Sequence, residues 1–286
     1  MFLGLPDGDF IFFDGAMGTM LQKRGLPPGQ RPDVMNITAP EAVLDVHRQY
    51  RDAGSGILCT NTFGANARAL RDTGYSVREI VSAGVDLARR AAGGRALTAL
   101  DLGPVGELLT PCGELTEEDA YALFREQAVA GERAGADLAA IETMSDLAEL
   151  RAAILAVREN TKLPVLATMT FNSSGRTFLG VAPEDFAAAA EELGAVAVGL
   201  NCSLAPEAML SAAQKIAGAT ALPLIIKPNA GLPNADGVYG VTPEDFARRM
   251  TPFAAIGAKI VGGCCGTTPD FIRALRGAFS QLTPTR

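Results

Sequence analysis

Short apolar runs alternate with longer amphipathic segments along most of this 286-residue chain. The runs are continuous rather than interrupted by polar residues, which is typical of parallel strands that helices cover. The segments between them have the 3.6-residue periodicity of helices. The predicted strands are 10–13, 56–62, 96–103, 138–143, 163–170, 195–202, 222–229 and 259–264. The helices predicted to follow them are 40–53, 76–92, 116–134, 146–159, 183–193, 205–217, 243–255 and 268–279.

Eight consecutive strand–helix units in a chain of this length predict a single (β/α)8 TIM barrel. A doubly wound open sheet is the alternative, because the number of units alone does not prove that the sheet closes. No linker or charge block divides the sequence, so we expect one domain over residues 1–286. Thr116, Thr242 and Thr268 stand where N-caps of predicted helices are expected.

Composition narrows the class of protein. Hydrophobic residues make up 48% of the chain, which argues against disorder, and the formal net charge is −7. A negative charge disfavours nucleic acid or an anionic membrane as a partner. The sequence has no signal-peptide pattern and no apolar run of the roughly 20 residues that span a bilayer. We therefore expect a cytoplasmic protein whose five cysteines are free thiols or metal ligands.

Two adjacent cysteines in the glycine-rich segment 261–269 are the most unusual feature of the sequence. A disulfide between neighbours such as Cys264 and Cys265 strains the peptide that joins them. Together with Cys202, they would form a three-thiolate pocket suited to Zn2+, with one tetrahedral position left for a substrate. The alternative is that each cysteine is a small buried apolar residue. The spacing does not decide between the two, because it is not a standard zinc spacing.

Polar residues also stand at the predicted strand ends, which open at one mouth of a barrel. They are Asp14, Thr60, Asn61, Asp101, Glu142, Cys202, Asn229, Cys264 and Cys265. Asp14 and Asp101 have an ordinary alternative, which is to cap the following helix. Glu142 fits that alternative less well, because Ser145 is the expected cap of the next helix. Two carboxylates near a thiolate pocket would suit the ammonium group of an amino acid that carries a thiol.

His47, Cys59 and Cys112 are expected to be structural residues. His47 is the sole histidine and falls within a predicted helix, which argues against a histidine-based metal site or a Ser-His-Asp triad. Cys59 falls within a predicted strand, and Cys112 falls in a Pro-Cys-Gly turn.

Four motifs together resemble the homocysteine S-methyltransferase family over nearly the whole chain. They are Asp14-Gly-Ala-Met-Gly-Thr19, Asn61-Thr-Phe-Gly-Ala-Asn66, Gly199-Leu-Asn-Cys-Ser203 and Gly262-Gly-Cys-Cys-Gly-Thr-Thr-Pro269. Within the family, segments 13–22, 141–149 and 227–233 look most like the homocysteine-binding domain of cobalamin-dependent methionine synthase.

The resemblance implies roles for individual residues. Cys202, Cys264 and Cys265 would bind zinc, and the homocysteine sulfur would take the open position. Asp14 and Glu142 would hold the substrate ammonium. The backbone around Gly15, with Thr60, would meet the substrate carboxylate, and Asn229 would be a fourth metal ligand when substrate is absent.

The resemblance also implies methyl transfer to L-homocysteine to give methionine. Nothing in the sequence resembles folate, cobalamin or reactivation domains, so we expect a methylcorrinoid protein or a detached cobalamin domain as donor. S-methylmethionine or S-adenosylmethionine ranks second and betaine third. A non-catalytic zinc and thiol-binding homocysteine sensor is the alternative from another class, and a redox role for the adjacent cysteines is a third.

Overall fold

The structure is a computed structural model that describes residues 3, 9–27, 29–234, 237 and 239–283. Eight parallel strands form one sheet in the order β1-β8-β7-β6-β5-β4-β3-β2. The strands are β1 Ile11–Phe12, β2 Ile57–Cys59, β3 Leu97–Leu102, β4 Leu138–Met144, β5 Val165–Met169, β6 Ala197–Asn201, β7 Leu224–Lys227 and β8 Ala258–Val261. This architecture confirms the predicted TIM barrel.

Backbone contacts between the first two strands close the sheet. Phe13 and Ile57 form a parallel bridge just beyond β1. The amide of Asp14 donates to the carbonyl of Ile57 at 3.1 Å, and the amide of Gly56 donates to the carbonyl of Phe12 at 2.7 Å. The order of the strands and this bridge exclude the open sheet that was the alternative.

Helices follow the strands around the outside of the barrel. They are α1 Met17–Gln22, α2 Met35–Thr38, α3 Pro40–Ala53, α4 Ala67–Leu70, α5 Val77–Ala92, α6 Glu117–Ala134, α7 Leu147–Asn160, α8 Pro183–Glu192, α9 Pro206–Ala219, α10 Pro243–Met250 and α11 Pro269–Phe279. Two 3-10 turns, Pro32–Val34 and Thr251–Ile256, precede α2 and β8. None of the helices in the described ranges is long and apolar enough to span a membrane.

The predicted helix caps have three different outcomes. Thr116 and Thr242 each accept a hydrogen bond from the backbone three residues on, as N-caps do. Thr268 occupies the N-cap position of α11, but its side chain makes no capping hydrogen bond. Ser145 was the wrong choice for α7, because the side chain of Asp146 accepts from the backbone amide of Ala148 at 2.8 Å.

Alternation along the strands separates two apolar layers. Side chains on one side of the strands pack inside the barrel, and those on the other side pack against the helices. The interior set includes Ile57, Cys59, Ala99, Ala140 and Ile225. The next residues on the same side of β3, β4 and β7 are Asp101, Glu142 and Lys227, each two positions further along its strand. The apolar interior therefore ends in a polar layer at the C-terminal mouth.

Candidate active site

Three thiols from the ends of β6 and β8, the strands on either side of β7, meet at the mouth. Cys202 directly follows β6, and Cys264 and Cys265 lie three and four residues after β8. Their sulfur atoms all lie within 4.8 Å of one another, and those of Cys202 and Cys265 are 3.9 Å apart. Tetrahedral zinc with Zn–S bonds of about 2.3 Å requires sulfur atoms about 3.8 Å apart. The spacing is therefore that of three ligands to one metal ion and is too long for a disulfide.

The backbone at this site adopts conformations that side chains disfavour. Cys202 and Ser203 have φ angles of 61° and 59°, and the β-branched Thr143 has a φ of 64°. Thr143 lies at a register shift between β4 and β5, immediately after Glu142. Left-handed residues of this kind concentrate at functional sites, where surrounding contacts hold them. These conformations orient the Cys202 thiol and the Glu142 carboxylate into one cavity.

Hydrogen bonds among the three thiols shift their pKa values in different directions. Hydrogen bonds from Cys264 and Cys265 lower the pKa of Cys202, against the effect of burial. Hydrogen bonds with Cys202 and Cys265 raise the pKa of Cys264 well above its ordinary value. Cys202 is therefore the first of the three to ionise, and a cation is needed to hold all three as thiolates.

An oxygen donor stands beside the thiols. The Oδ1 atom of Asn229 is buried and has no hydrogen-bond partner within the described part of the chain. The side chain of Asn229 also interacts with Cys202, whose pKa it lowers. An orphaned buried carbonyl oxygen next to three thiols fits a fourth ligand position. The residues present thus match the donor set of a zinc site.

Tyr239 adds an aromatic wall that was not anticipated. Burial, and then the nearby thiols beginning with Cys265, raise the pKa of Tyr239 to about 12. A bridge between Pro233 and Tyr239 folds this part of the loop after β7 back on itself. The phenol therefore stays protonated near the thiols.

Asp14 lies at the floor of the same cavity and does not cap α1. Its Oδ2 atom accepts a hydrogen bond from the backbone amide of Cys59 at 2.8 Å, and the side chain is 3% exposed. Burial raises the pKa of Asp14 to about 7, although Lys227 and the amide of Cys59 oppose the shift. The ammonium of a ligand, added to that of Lys227, would favour the ionised form of Asp14.

Glu142 already has a cationic partner. The ammonium of Lys227 contacts its carboxylate, and both side chains are almost completely buried. Burial alone would lower the pKa of Lys227, but the acidic groups around it, which include Cys59 and Glu142, raise its pKa well above the ordinary value. Lys227 is therefore charged within the cavity.

Asp101 faces the same pair and caps no helix. Its Oδ1 atom is buried without a hydrogen-bond partner among the described residues. Burial, and then the nearby Glu142, raise the pKa of Asp101 well above its ordinary value. Ligand atoms of Cys59, Asp101 and Glu142 all lie within 4.8 Å of one another.

The hydroxyl of Thr60 is engaged inside the protein. It lies 2.6 Å from the hydroxyl of Thr62, which donates to the carbonyl of Asp101 at 2.8 Å. Thr60 therefore donates to Thr62, and it accepts from the amide of Asp101 at 3.0 Å. A hydrogen bond from Thr60 to a substrate carboxylate requires the Thr60–Thr62 bond to be exchanged.

Gly15 is required where the first strand ends. A Cβ atom at this position would lie 2.5 Å from the Thr267 hydroxyl and 2.9 Å from the Tyr50 hydroxyl. Those two side chains bind the adjacent backbone, since Thr267 accepts from the amide of Ala16 and Tyr50 donates to its carbonyl. The absence of a side chain lets the turn pack closely against the loop that carries Cys264.

Asn201 connects the two halves of the site. Its Oδ1 atom accepts from the Thr143 amide at 2.8 Å and from the Thr168 hydroxyl at 2.7 Å. Its Nδ2 atom donates to the Thr143 hydroxyl at 2.8 Å and points to the Cys264 sulfur at 3.8 Å. The fully buried amide thus holds the strained residue after Glu142 and one of the thiols.

A cavity of about 550 Å³ joins these groups. It is lined by residues that include Asp14, Gly15, Thr60, Asp101, Glu142, Cys202, Lys227, Cys264 and Cys265. A space of this size takes a small molecule. Thiols lie beside one part of it and carboxyl groups beside another, so the cavity suits a molecule with a soft donor atom and an ammonium group.

Sequence reasoning missed three residues of the site, namely Asn201, Lys227 and Tyr239. The first two stand at inward positions of β6 and β7, so strand alternation could have identified them. Tyr239 comes from a loop, and nothing in its local sequence predicts its approach to Cys265.

His47, Cys112 and Cys59 were expected to be structural, and none of the three belongs to the cluster of thiols. His47 is fully buried in α3, where burial lowers its pKa to about 4 and keeps it neutral. Cys112 is exposed in its turn. Cys59 is buried at the end of β2, but its position next to Lys227 makes it part of the cavity wall.

Known proteins resemble this chain over most of its length. The family model for homocysteine S-methyltransferase matches residues 11–279. Methionine synthases of Mycobacterium leprae and Mycobacterium tuberculosis are 34% and 33% identical over 94% of this chain. The chain spans only 24% of the length of each of these relatives.

A solved structure gives the same result for the fold. The metallated form of the homocysteine methyltransferase MmuM from Escherichia coli superposes with a TM-score of 0.81 and 27% sequence identity. The match covers 95% of this chain and 96% of that one. With the family model matching from the first strand to the last helix, the chain belongs to the homocysteine S-methyltransferase family of enzymes.

Proposed function

We propose that this protein transfers a methyl group to the thiol of L-homocysteine and so forms methionine. The observation that carries the proposal is the meeting of three thiols with a carboxyl-lined cavity inside a barrel of this family. The thiol cluster supplies a site for soft-metal chemistry, and the carboxyl groups supply a site for an ammonium ion. Homocysteine has both of the groups that these two subsites would bind.

Cys202, Cys264 and Cys265 would hold Zn2+, with Asn229 as the fourth ligand before substrate binds. Bound zinc would lower the pKa of the substrate thiol, so that a nucleophilic thiolate exists near neutral pH. Three thiolate ligands leave such a site anionic, which keeps sulfur reactive. The protein then needs no general base for the transfer, in keeping with its single histidine, which is neutral and buried in α3.

The remaining residues would position the amino-acid end of the substrate. Asp14 and Glu142 are proposed to hold the ammonium, and the backbone around Gly15 is proposed to meet the carboxylate. Thr60 is also proposed there, after exchange of its bond to Thr62. Asn201 would keep the two subsites at a fixed separation through Thr143 and Cys264.

A methylcorrinoid carried by a protein is our first choice of methyl donor. The relatives named methionine synthase are about four times as long as this chain, which leaves room in them for further domains. Four large apolar side chains are exposed in loops that follow strands, at Phe63, Leu108, Phe178 and Leu232. Exposed apolar groups around a mouth favour a macromolecular partner over a small donor.

S-methylmethionine is the second choice, with S-adenosylmethionine beside it and betaine third. A non-catalytic homocysteine sensor is a separate hypothesis, since the same cavity would bind the ligand without catalysis. The cytoplasmic location stays a prediction from sequence.

A donor panel tests the proposal. Zinc-loaded protein, purified without oxygen, is mixed with L-homocysteine and with a methylcorrinoid protein, free methylcobalamin, S-methylmethionine, S-adenosylmethionine or betaine, and methionine is measured. Methionine from any donor supports the enzyme, and the donor used selects the branch. Homocysteine binding without product from any donor, including a methylcorrinoid protein, would favour the sensor.

A further inference from the structure

Lys227 is a buried cation in the part of the cavity that the amino-acid end of the substrate would occupy. It ends β7 on the same side as Ile225, so its side chain belongs to the interior layer. Its ammonium contacts the Glu142 carboxylate, lies 3.8 Å from the Cys59 sulfur and lies 4.3 Å from the centre of the Phe13 ring. These contacts fix the ammonium rather than leaving it free to follow a ligand.

The charges of the described cavity wall are unequal. Asp33 and Arg31 form an ion pair towards the rim and cancel each other. Deeper in the cavity, three carboxyl groups, those of Asp14, Asp101 and Glu142, surround one ammonium. Lys227 therefore decides how much negative charge an incoming substrate meets.

The cluster of Cys59, Asp101 and Glu142 has the spacing of a metal site. The ammonium of Lys227, however, touches two of its three members. A positive charge of the protein thus already occupies this cluster, and we assign no second metal to it.

We propose that Lys227 is a positioning and specificity residue, which holds Glu142 and cancels one carboxylate so that the cavity accepts a thiol amino acid as a zwitterion. This inference rests on the proposed function, since it concerns the amino-acid end of the same substrate. An unopposed third carboxylate would repel the substrate carboxylate. It would favour thiols that carry an ammonium and no negative charge.

L-homocysteine and its methyl ester provide a matched pair of ligands. Both carry the thiol and the ammonium, but the ester lacks the negative charge. Their dissociation constants are measured by calorimetry on zinc-loaded protein, which requires no methyl donor. The quantity compared between variants is the ratio of the two constants, because a general loss of structure weakens both ligands alike.

The Lys227→Met variant is expected to shift this ratio towards the ester by at least about tenfold relative to wild type. The Glu142→Gln variant, which removes one of the three carboxylates around Lys227, is expected to shift it in the other direction. Combining the two restores the charge balance and returns the ratio towards the wild-type value. The control is Lys259→Met, which removes a buried lysine from β8 next to the inward-facing Ile260.

An unchanged ratio in Lys227→Met, with wild type binding homocysteine, would overturn the inference and leave the proposed function intact. If Lys227→Met does not fold, the Glu142→Gln variant provides the test. An unchanged ratio of dissociation constants in that variant, or a shift of the ratio towards the ester, would also overturn the inference. Failure of zinc-loaded wild type to bind either thiol would refute the proposed function, and with it this inference.

Discussion

At the scale of single residues, the neighbours of each side chain in the cavity determine its role. Asp14, Asp101 and Glu142 are three carboxyl groups in one cavity, yet each has a different partner. One accepts from a backbone amide, one has an unpartnered oxygen and one is bound to a lysine. The environment, rather than the residue type, therefore assigns each carboxyl group its part in binding.

The cysteines give the first prediction at this scale. Cys264→Ala or Cys202→Ser should each lose zinc and methyl transfer, because two thiolates do not close the metal site. The barrel should stay folded, since its apolar layers do not depend on these side chains. Plasma mass spectrometry of metal content and far-ultraviolet circular dichroism check the two halves of this prediction. Full zinc occupancy in either variant would remove these residues from the site.

Asp14 predicts how homocysteine binding depends on pH. Because burial raises its pKa to about 7, the carboxyl group gains a proton as the pH falls through 7. A protonated Asp14 no longer attracts an ammonium, so this contribution to affinity is present above pH 7 and is lost below it. The loss should approach about tenfold per pH unit at lower pH.

Asp14→Asn should weaken homocysteine binding at pH 8 and remove this part of the pH dependence. Titration calorimetry at pH 6 and pH 8 measures both effects. The control ligand is 4-mercaptobutanoate, which has no ammonium, so its affinity should not fall in Asp14→Asn. Equal affinities of wild type and Asp14→Asn for homocysteine at pH 8 would refute the assigned contact.

At the scale of elements, α7 supports the mouth through one buried acid. Glu149 lies in the first turn of this helix and accepts from the backbone amide of Val105 at 2.7 Å. It thereby holds the start of the loop after β3. Burial raises its pKa to about 7, so the carboxyl group is easier to ionise in the unfolded chain.

The raised pKa of Glu149 makes the stability of the folded protein depend on pH. Between pH 4.5 and pH 7 the folded state binds the proton of Glu149 more tightly, so its contribution to stability is lost as the pH rises through this range. The rise in the pKa of Glu149 from 4.5 to about 7 corresponds to a total loss of about 3 kcal/mol of folding stability. Glu149→Gln keeps an oxygen for Val105 but does not titrate.

The difference in unfolding free energy between Glu149→Gln and wild type should therefore be larger at pH 8 than at pH 5, in favour of the variant. Urea unfolding at both pH values measures it. A difference that is the same at the two pH values would show that Glu149 does not titrate between them.

Sequence patterns predicted the elements better than the contacts between them. Continuous apolar runs identified all eight strands, because strands covered by helices cannot contain many polar residues. The ends of these runs also predicted the polar residues of the mouth, because polar side chains are accommodated where the strands end. Closure between β1 and β2 was not predictable, since it depends on a bridge between Phe13 and Ile57.

The site was partly predictable for a related reason. Cys264 and Cys265 are conspicuous in sequence, whereas Lys227 resembles an ordinary charged residue at a strand end. Its function depends on Glu142, which is 85 residues away in the chain. The capping of α7 by Asp146 instead of Ser145 likewise depends on local geometry that the sequence leaves open.

At the scale of the whole molecule, the mouth of the barrel carries most of the large apolar side chains that are exposed within the described residues. Phe178 is 80% exposed and Leu232 is 71% exposed, in loops that follow β5 and β7. If a corrinoid protein delivers the methyl group, it must cover this face to bring the methyl group to the thiols. A small donor has no need of these side chains.

The double variant Phe178→Ser, Leu232→Ser should lower methyl transfer from a protein-bound methylcorrinoid by at least about tenfold, because apolar contacts at an interface centre dominate binding. Transfer from free methylcobalamin should change little. Leu282→Ser is the control, since this exposed leucine lies beside β1 at the opposite end of the barrel. Equal losses with both donors would argue against docking through this surface.

The most direct test of the central claim is zinc K-edge X-ray absorption of the anaerobically purified protein with and without L-homocysteine. The account predicts three sulfur neighbours at about 2.3 Å and one lighter ligand before homocysteine is added. Addition of homocysteine should replace the lighter ligand with a fourth sulfur. A coordination shell that does not change on addition of homocysteine, or a protein that retains no zinc, would contradict the account.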